Sequence, residues 1–130
     1  MKIILEKQEA EEIFFNALCN GLGYMCSGYD LELDFVEADY KAAATKLKDA
    51  GTSPCFEDVL MQVLKDGGSL NLIDLGCDGE YSRAITLADV HERVCKTQVD
   101  HLMDMINGQD DACTADVVLQ TVFLEDVVFG

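Results

Sequence analysis

The chain has 130 residues, with 25 Asp and Glu against 9 Lys and Arg, for a formal charge of −16. That balance excludes nucleic-acid binding through phosphate contacts, which depends on clustered Lys and Arg, and it disfavours anionic membrane surfaces. The 49 % apolar content excludes the composition of a disordered chain despite the charge, and the length suffices for one domain whose core needs no metal or disulfide.

The acids are unevenly placed. No basic residue follows Lys96, whereas Asp100, Asp104, Asp110, Asp111, Asp116, Glu125 and Asp126 all do. The opening apolar run is too short for a signal-peptide core, and no stretch approaches the roughly 18 apolar residues of a membrane helix. A cytoplasmic location is the expectation. The six cysteines (Cys19, Cys26, Cys55, Cys77, Cys95 and Cys113) are widely spaced, so in a reducing compartment they read as free thiols acting as small apolar residues.

In chain order, Lys2 to Leu5 reads as a short first strand. A helix follows from about Gln8 to Leu22, with Ala10, Ile13, Phe14, Ala17, Leu18, Gly21 and Leu22 on one apolar stripe. Gly21 and Gly23 are its expected terminators. Tyr29 to Phe35 alternates strictly, as a half-exposed strand does. Glu37 to Lys48 predicts a second helix. Ser53 and Pro54 predict the cap and first position of a third, running to Asp66. Leu70–Leu75 and Glu80–Thr86 flank Asp78-Gly79, the preferred pair of a type I′ hairpin turn, in a register that sets Asp74 opposite Arg83. Thr86 with Asp89 and Thr97 with Asp100 predict capped helices over about 87–96 and 98–107. Thr114 is the expected cap of a last helix from 115 to about 123, and 125–129 reads as a closing strand. The fold expected is α+β: a small, mainly antiparallel sheet, including the 70–86 hairpin, packed with five or six short helices in a single domain.

Several groupings bear on chemistry. Asp30, Glu32 and Asp34 form an acidic comb. Alternate strand residues share a face and repeat at roughly 6.6 Å, a spacing comparable to that of phosphates along one DNA strand. The same charges on an edge strand also discourage unwanted pairing. Asp74 to Glu80 matches the first, fifth and sixth positions of a calcium loop, but Gly76 and Ile85 stand where the third and twelfth positions need ligands. The hairpin reading therefore stands, and no metal is expected. His91 and Cys95 lie one helical turn apart without completing a metal motif. Cys55 falls at a helix start, where the dipole activates a thiol, but no base is identifiable in the sequence. No cofactor motif is present, so no catalytic residue and no cofactor are expected.

Three stretches are Glu11-Glu12-Ile13-Phe14-Phe15-Asn16-Ala17-Leu18-Cys19-Asn20-Gly21-Leu22-Gly23-Tyr24, then Glu57-Asp58-Val59-Leu60-Met61-Gln62-Val63-Leu64-Lys65-Asp66-Gly67-Gly68, and His101-Leu102-Met103-Asp104-Met105-Ile106-Asn107. In these the chain resembles small acidic proteins of tailed bacteriophages and prophages. The resemblance carries no activity and no site residues. It implies a bacterial host cytoplasm and an interaction role. The expected function is a non-enzymatic acidic protein that binds a basic host or phage protein without contacting nucleic acid or membrane, in its most specific form by nucleic-acid mimicry. Asp30, Glu32, Asp34, Asp104, Asp110, Asp111 and Asp116 are the expected contacts. A self-associating accessory protein and a small enzyme or ligand binder stay open as alternatives.

Overall fold

The computed structural model describes residues 3–130. Its first helix, α1, runs from Lys7 to Tyr29. Glu6 and Glu9 start it with a reciprocal capping box, in which the Glu9 carboxylate accepts from the Glu6 N–H at 3.0 Å. Gly21 and Gly23 do not end the helix. At Gly21 the last helix passes so close that an added Cβ would lie 2.6 Å from Ala115 Cβ and 2.9 Å from backbone atoms of Ala115 and Asp116. This packing outweighs the roughly 1 kcal/mol that a helical glycine costs. The helix stops at Asp30, which is left-handed at φ 56° and returns its N–H to the Cys26 carbonyl. Upstream, residues 3–5 form no strand, although Ile3 and Leu5 pack on the core. The predicted strand's first residue, Lys2, lies outside the described residues.

Strand β1 (Leu31–Phe35) leads into α2 (Glu37–Asp49) and α3 (Phe56–Lys65). The third helix starts later than Pro54 because Cys55 is its cap: its N–H donates to Asp58, and its thiol shares the capping box. Strands β2 (Leu70–Asp74) and β3 (Arg83–Ile85) complete an antiparallel sheet of order β1-β2-β3. The fold is α+β with a small antiparallel sheet, as expected.

The hairpin register differs from the expected one. Arg83 lies opposite Leu72, and Asp74 lies opposite Leu31 on the other side of β2. The cause is the Asp74 side chain. Its carboxylate accepts from the backbone N–H groups of Gly76 (3.0 Å), Cys77 (2.9 Å) and Tyr81 (3.1 Å), while the Ser82 hydroxyl accepts from the Asp74 N–H. Such local side-chain bonds compete with ladder bonds, so 75–82 forms a loop in place of the expected strand ends. Within that loop Asp78 and Gly79 do make the predicted turn. Both have positive φ (54° and 81°), and the Glu80 N–H donates to the Cys77 carbonyl.

Helix α4 (Leu87–Arg93) carries the predicted Thr86–Asp89 box and tightens into a 3₁₀ turn over Val94–Lys96. Helix α5 (Val99–Ile106) starts from Gln98 without a side-chain cap, and Thr97 is buried rather than capping. Helix α6 (Ala112–Leu124) is capped by Asp111, not Thr114: the Asp111 carboxylate accepts from the Thr114 N–H at 2.8 Å. Residues 125–129 form no strand.

Every residue of α6 from Thr114 to Leu124 is buried, as befits a helix enclosed on all sides. It runs antiparallel to α1, so that Phe14 meets Phe123 (ring centroids 6.1 Å apart) and Gly21 meets Ala115. Side chains from every helix and strand join one core. The sheet lays Leu31, Leu70, Leu72 and Ile85 against the helices, and its other face is free of them.

Candidate functional site

The uncovered face of the sheet is built by strand alternation. Glu32 and Asp34 of β1 point away from the helices and are exposed. Their neighbours across the ladder are neutral: Glu32 lies opposite Ile73 and Asp34 opposite Asn71, and Asn71 in turn lies opposite Ala84. Among the described residues neither acid forms an ion pair. Their charge is therefore uncompensated across the face.

β1 is also an edge strand. The Asp30 carbonyl accepts from the Leu75 N–H at 3.0 Å, so the register turns the main-chain groups of 32 and 34 towards β2 and those of Leu31, Leu33 and Phe35 outward. One of the outward N–H groups is satisfied by a side chain, and a second faces a thiol. The Asp34 carboxylate accepts from Phe35 at 2.9 Å, and the Cys26 thiol faces the Leu33 N–H. Asp34 thus occupies one outward N–H of this edge while its charge stays exposed, and a charged edge discourages strand addition. Desolvation, and then the Glu32 charge, push the Cys26 thiol up against the effect of the Leu33 N–H.

Asp30 stands just outside the strand, so the comb is a pair on one face with a third acid at its end. The 75–82 loop adds to that end. A Cβ on Gly76 would lie 3.3 Å from Asp30 Oδ2, and Asp78 and Glu80 are exposed on the same loop. Partial desolvation, followed by the charges of Asp74, Glu80, Asp78 and Asp30, pushes the Cys77 thiol up. Arg83 forms no ion pair among the described residues; its guanidinium donates to the carbonyls of Glu80 and Ser82 and so sets one positive charge at the base of this loop. Sequence reasoning misses Asp78 and Glu80 here, because one reads only as a turn residue and the other only as a strand start.

The C-terminal acids have their own local settings. Asp116 is buried, 3 % exposed, and accepts from the Tyr29 hydroxyl (2.8 Å) and from Gln120 Nε2. It cannot serve as a contact, contrary to expectation. Burial pushes its carboxyl up, against the two donors that favour the ionised form. Asp111 is exposed but occupied as the α6 cap. Its carboxyl is held below the usual range by the Thr114 N–H above all. Asp110 accepts from the Asn20 amide of α1, and Asp104 is half-buried on α5.

A concave feature lies between the start of α1 and α3. It is a cleft of about 400 Å³ whose apolar wall includes Phe15, Leu47 and Met61 and whose carboxylates are Glu11, Glu12 and Asp58. His91 and Cys55 bond to two of those carboxylates without lining the cleft. His91 Nε2 is 2.7 Å from Glu11, and the Cys55 thiol donates to Asp58 at 3.2 Å. His91 and Cys95 have different partners, since the Cys95 thiol donates to the Glu92 carbonyl. Among the described residues no group of three or more His, Cys, Asp or Glu is placed to hold a metal ion, and all six cysteines are unbridged. No described helix is long and apolar enough to cross a membrane.

No family model, curated protein or solved structure matches the chain.

Proposed function

We propose that the protein is a non-enzymatic, phage-related interaction protein that binds a basic protein partner through the uncovered sheet face and the adjoining loop. The observation that carries this reading is the pairing across the face. Glu32 and Asp34 are exposed, face neutral neighbours, and have no base within reach among the described residues. With Asp30, Asp78 and Glu80 beside them, they form a negative surface that steers and orients a cationic partner. Nucleic-acid mimicry in a bacterial host cytoplasm is the specific form of this reading. Of the acids expected to make contact, Asp116 is excluded by burial, Asp30, Glu32 and Asp34 belong to this face, and Asp104, Asp110 and Asp111 are proposed as further contacts. Capture of basic proteins from bacterial lysate should weaken steeply with salt and on Glu32→Lys. The equal charge change Asp49→Lys, at the end of α2, should leave it intact. Equal loss in both variants would mean that net charge, and not this face, drives binding.

A second reading, small-ligand binding, is favoured by the α1–α3 cleft, where carboxylates line an apolar wall. Amide shift changes confined to Phe15, Met61 and Gln62 on adding small amines would support it, and shifts confined to β1 would count against it.

A further inference from the structure

The geometry points to a peptide-binding cradle on α1, α6 and the 75–82 loop. In this structure it is filled by the chain's own residues 127–129, and it fits an extended aliphatic–aromatic segment of a partner protein. The cradle's main-chain reader is Gln120, a residue with no exposed surface. Its Oε1 accepts from the N–H groups of Val128 and Phe129, both at 2.8 Å, and its Nε2 donates to the Phe129 carbonyl at 3.2 Å. One side-chain amide thus engages both polar groups of a single residue, as strand addition does with a backbone. Asp116 fixes which way the amide points, because its carboxylate accepts from Nε2. Tyr29 in turn donates to Asp116 and so belongs to the same buried network.

The cradle's side-chain reader is aromatic. The Phe129 ring stacks on Tyr29 with centroids 5.1 Å apart and meets the edge of Tyr81 at 5.3 Å. Offset stacks and edge contacts of this kind add specificity beyond buried area.

The occupant is more exposed than the receptor, although Phe129 itself packs on the core. Gln120 and Asp116 are buried, whereas Glu125 and Asp126 are exposed, and Val127 and Val128 are 37 % and 38 % exposed. The segment belongs to no helix or sheet and leaves α6 through Glu125, a non-glycine residue at φ 65°. Segments with few buried contacts open locally at low free energy. A competing segment with the same pattern, two aliphatic residues and then an aromatic one, meets the same amide and the same rings.

The test uses the full chain and an N-acetylated peptide copying residues 125–130, followed by amide NMR at Tyr29, Tyr81 and the Gln120 side chain. Phe129→Ala should bind the peptide saturably. The wild type should bind it about tenfold more weakly, because its own segment occupies the site most of the time. A peptide with alanine in place of its phenylalanine should not bind. Val128→Pro, which removes one N–H from the Gln120 clamp, provides a second opened variant should Phe129→Ala fail to fold. Absence of saturable binding in a folded opened variant would overturn the proposal. So would wild-type amides at 128 and 129 that exchange only through global unfolding. A concentration-dependent dimer that the peptide dissociates would instead make a second copy the occupant, and would overturn the assignment to a partner protein.

Discussion

Two glycines in α1, two residues apart, should respond to the same substitution with opposite signs. Gly23 faces open space, with nothing within 4 Å of the position an added Cβ would take. Gly23→Ala should therefore gain the intrinsic helix preference of alanine, about 0.8–1 kcal/mol. Gly21→Ala gains the same preference but places its Cβ 2.6 Å from Ala115 Cβ and 2.9 Å from two backbone atoms. No flexible side-chain end is available to move, so α1 and α6 must part by several tenths of an ångström. The Phe14–Phe123 contact lies on the same crossing and loosens with it. Overpacking of this kind costs about 3 kcal/mol at the upper end of its usual range, leaving a net loss of about 2 kcal/mol once the helix gain of about 1 is subtracted. The two variants should therefore differ by about 3 kcal/mol in urea denaturation, with a fall in Tm of roughly 8 °C for Gly21→Ala. Adding Ala115→Gly should recover only part of the loss, since the backbone contacts remain. If Gly21→Ala proved as stable as Gly23→Ala, the close α1–α6 crossing would be wrong.

Three further outcomes concern acids with different jobs. Burial raises the Asp116 carboxyl, so the neutral form suits the folded state. The stability it contributes is complete below the unfolded value of about 3.9 and is lost as pH rises through the raised folded value. Asp116→Asn should flatten the decline from acid to neutral pH in urea titrations, and parallel curves for variant and wild type would refute this. Asp111 has the opposite sign: the Thr114 N–H lowers its carboxyl, so its contribution is present above the unfolded value and lost as pH falls through the folded one. Asp111→Ala should accordingly weaken the wild-type loss of stability in acid and fray the start of α6, seen as faster amide exchange at Thr114. For Asp74, burial alone would raise the carboxyl, but the Tyr81, Cys77 and Gly76 N–H groups outweigh it and hold it low. Asp74→Ala should accelerate exchange at those three amides while leaving α6 protected. Uniform acceleration through α6 would show instead that the loop is not a separate unit.

Local chemistry makes several elements readable. The stripe of α1, the alternation of β1, the Thr86–Asp89 box and the Asp78-Gly79 turn each depend on residues within a few positions, and each is present. The features that sequence reasoning misplaces depend on partners far along the chain. Gly21 reads as a stop until Ala115 arrives beside it. The expected Asp74–Arg83 pair gives way because a buried carboxylate gains more from three N–H donors than from one exposed guanidinium. The segment 125–129 has strand composition but finds Gln120 where a strand would find a neighbour. The comb is legible as to its exposed pair, Glu32 and Asp34. That its end is extended by Asp78 and Glu80 depends on a loop conformation set by Asp74.

Net charge misleads most where an acid sits in an apolar run. In Val117-Val118-Leu119 and Val122-Phe123-Leu124 the apolar residues cover every side of a helix, a pattern that belongs to an enclosed helix and not to an amphipathic one. An acid one position before that run has no solvent face to occupy, so Asp116 has to be inside. Once inside it needs donors, and Gln120, one turn later on the same helix, is the nearest that the sequence offers. The Asp116–Gln120 spacing is therefore a readable sign of a buried polar pair, and reading it removes one charge from the surface. Gln120 then has its carbonyl left to satisfy, and the segment that follows the helix supplies the N–H groups. The cradle thus follows from one acid being denied solvent, whereas the sheet face draws its character from acids that keep it.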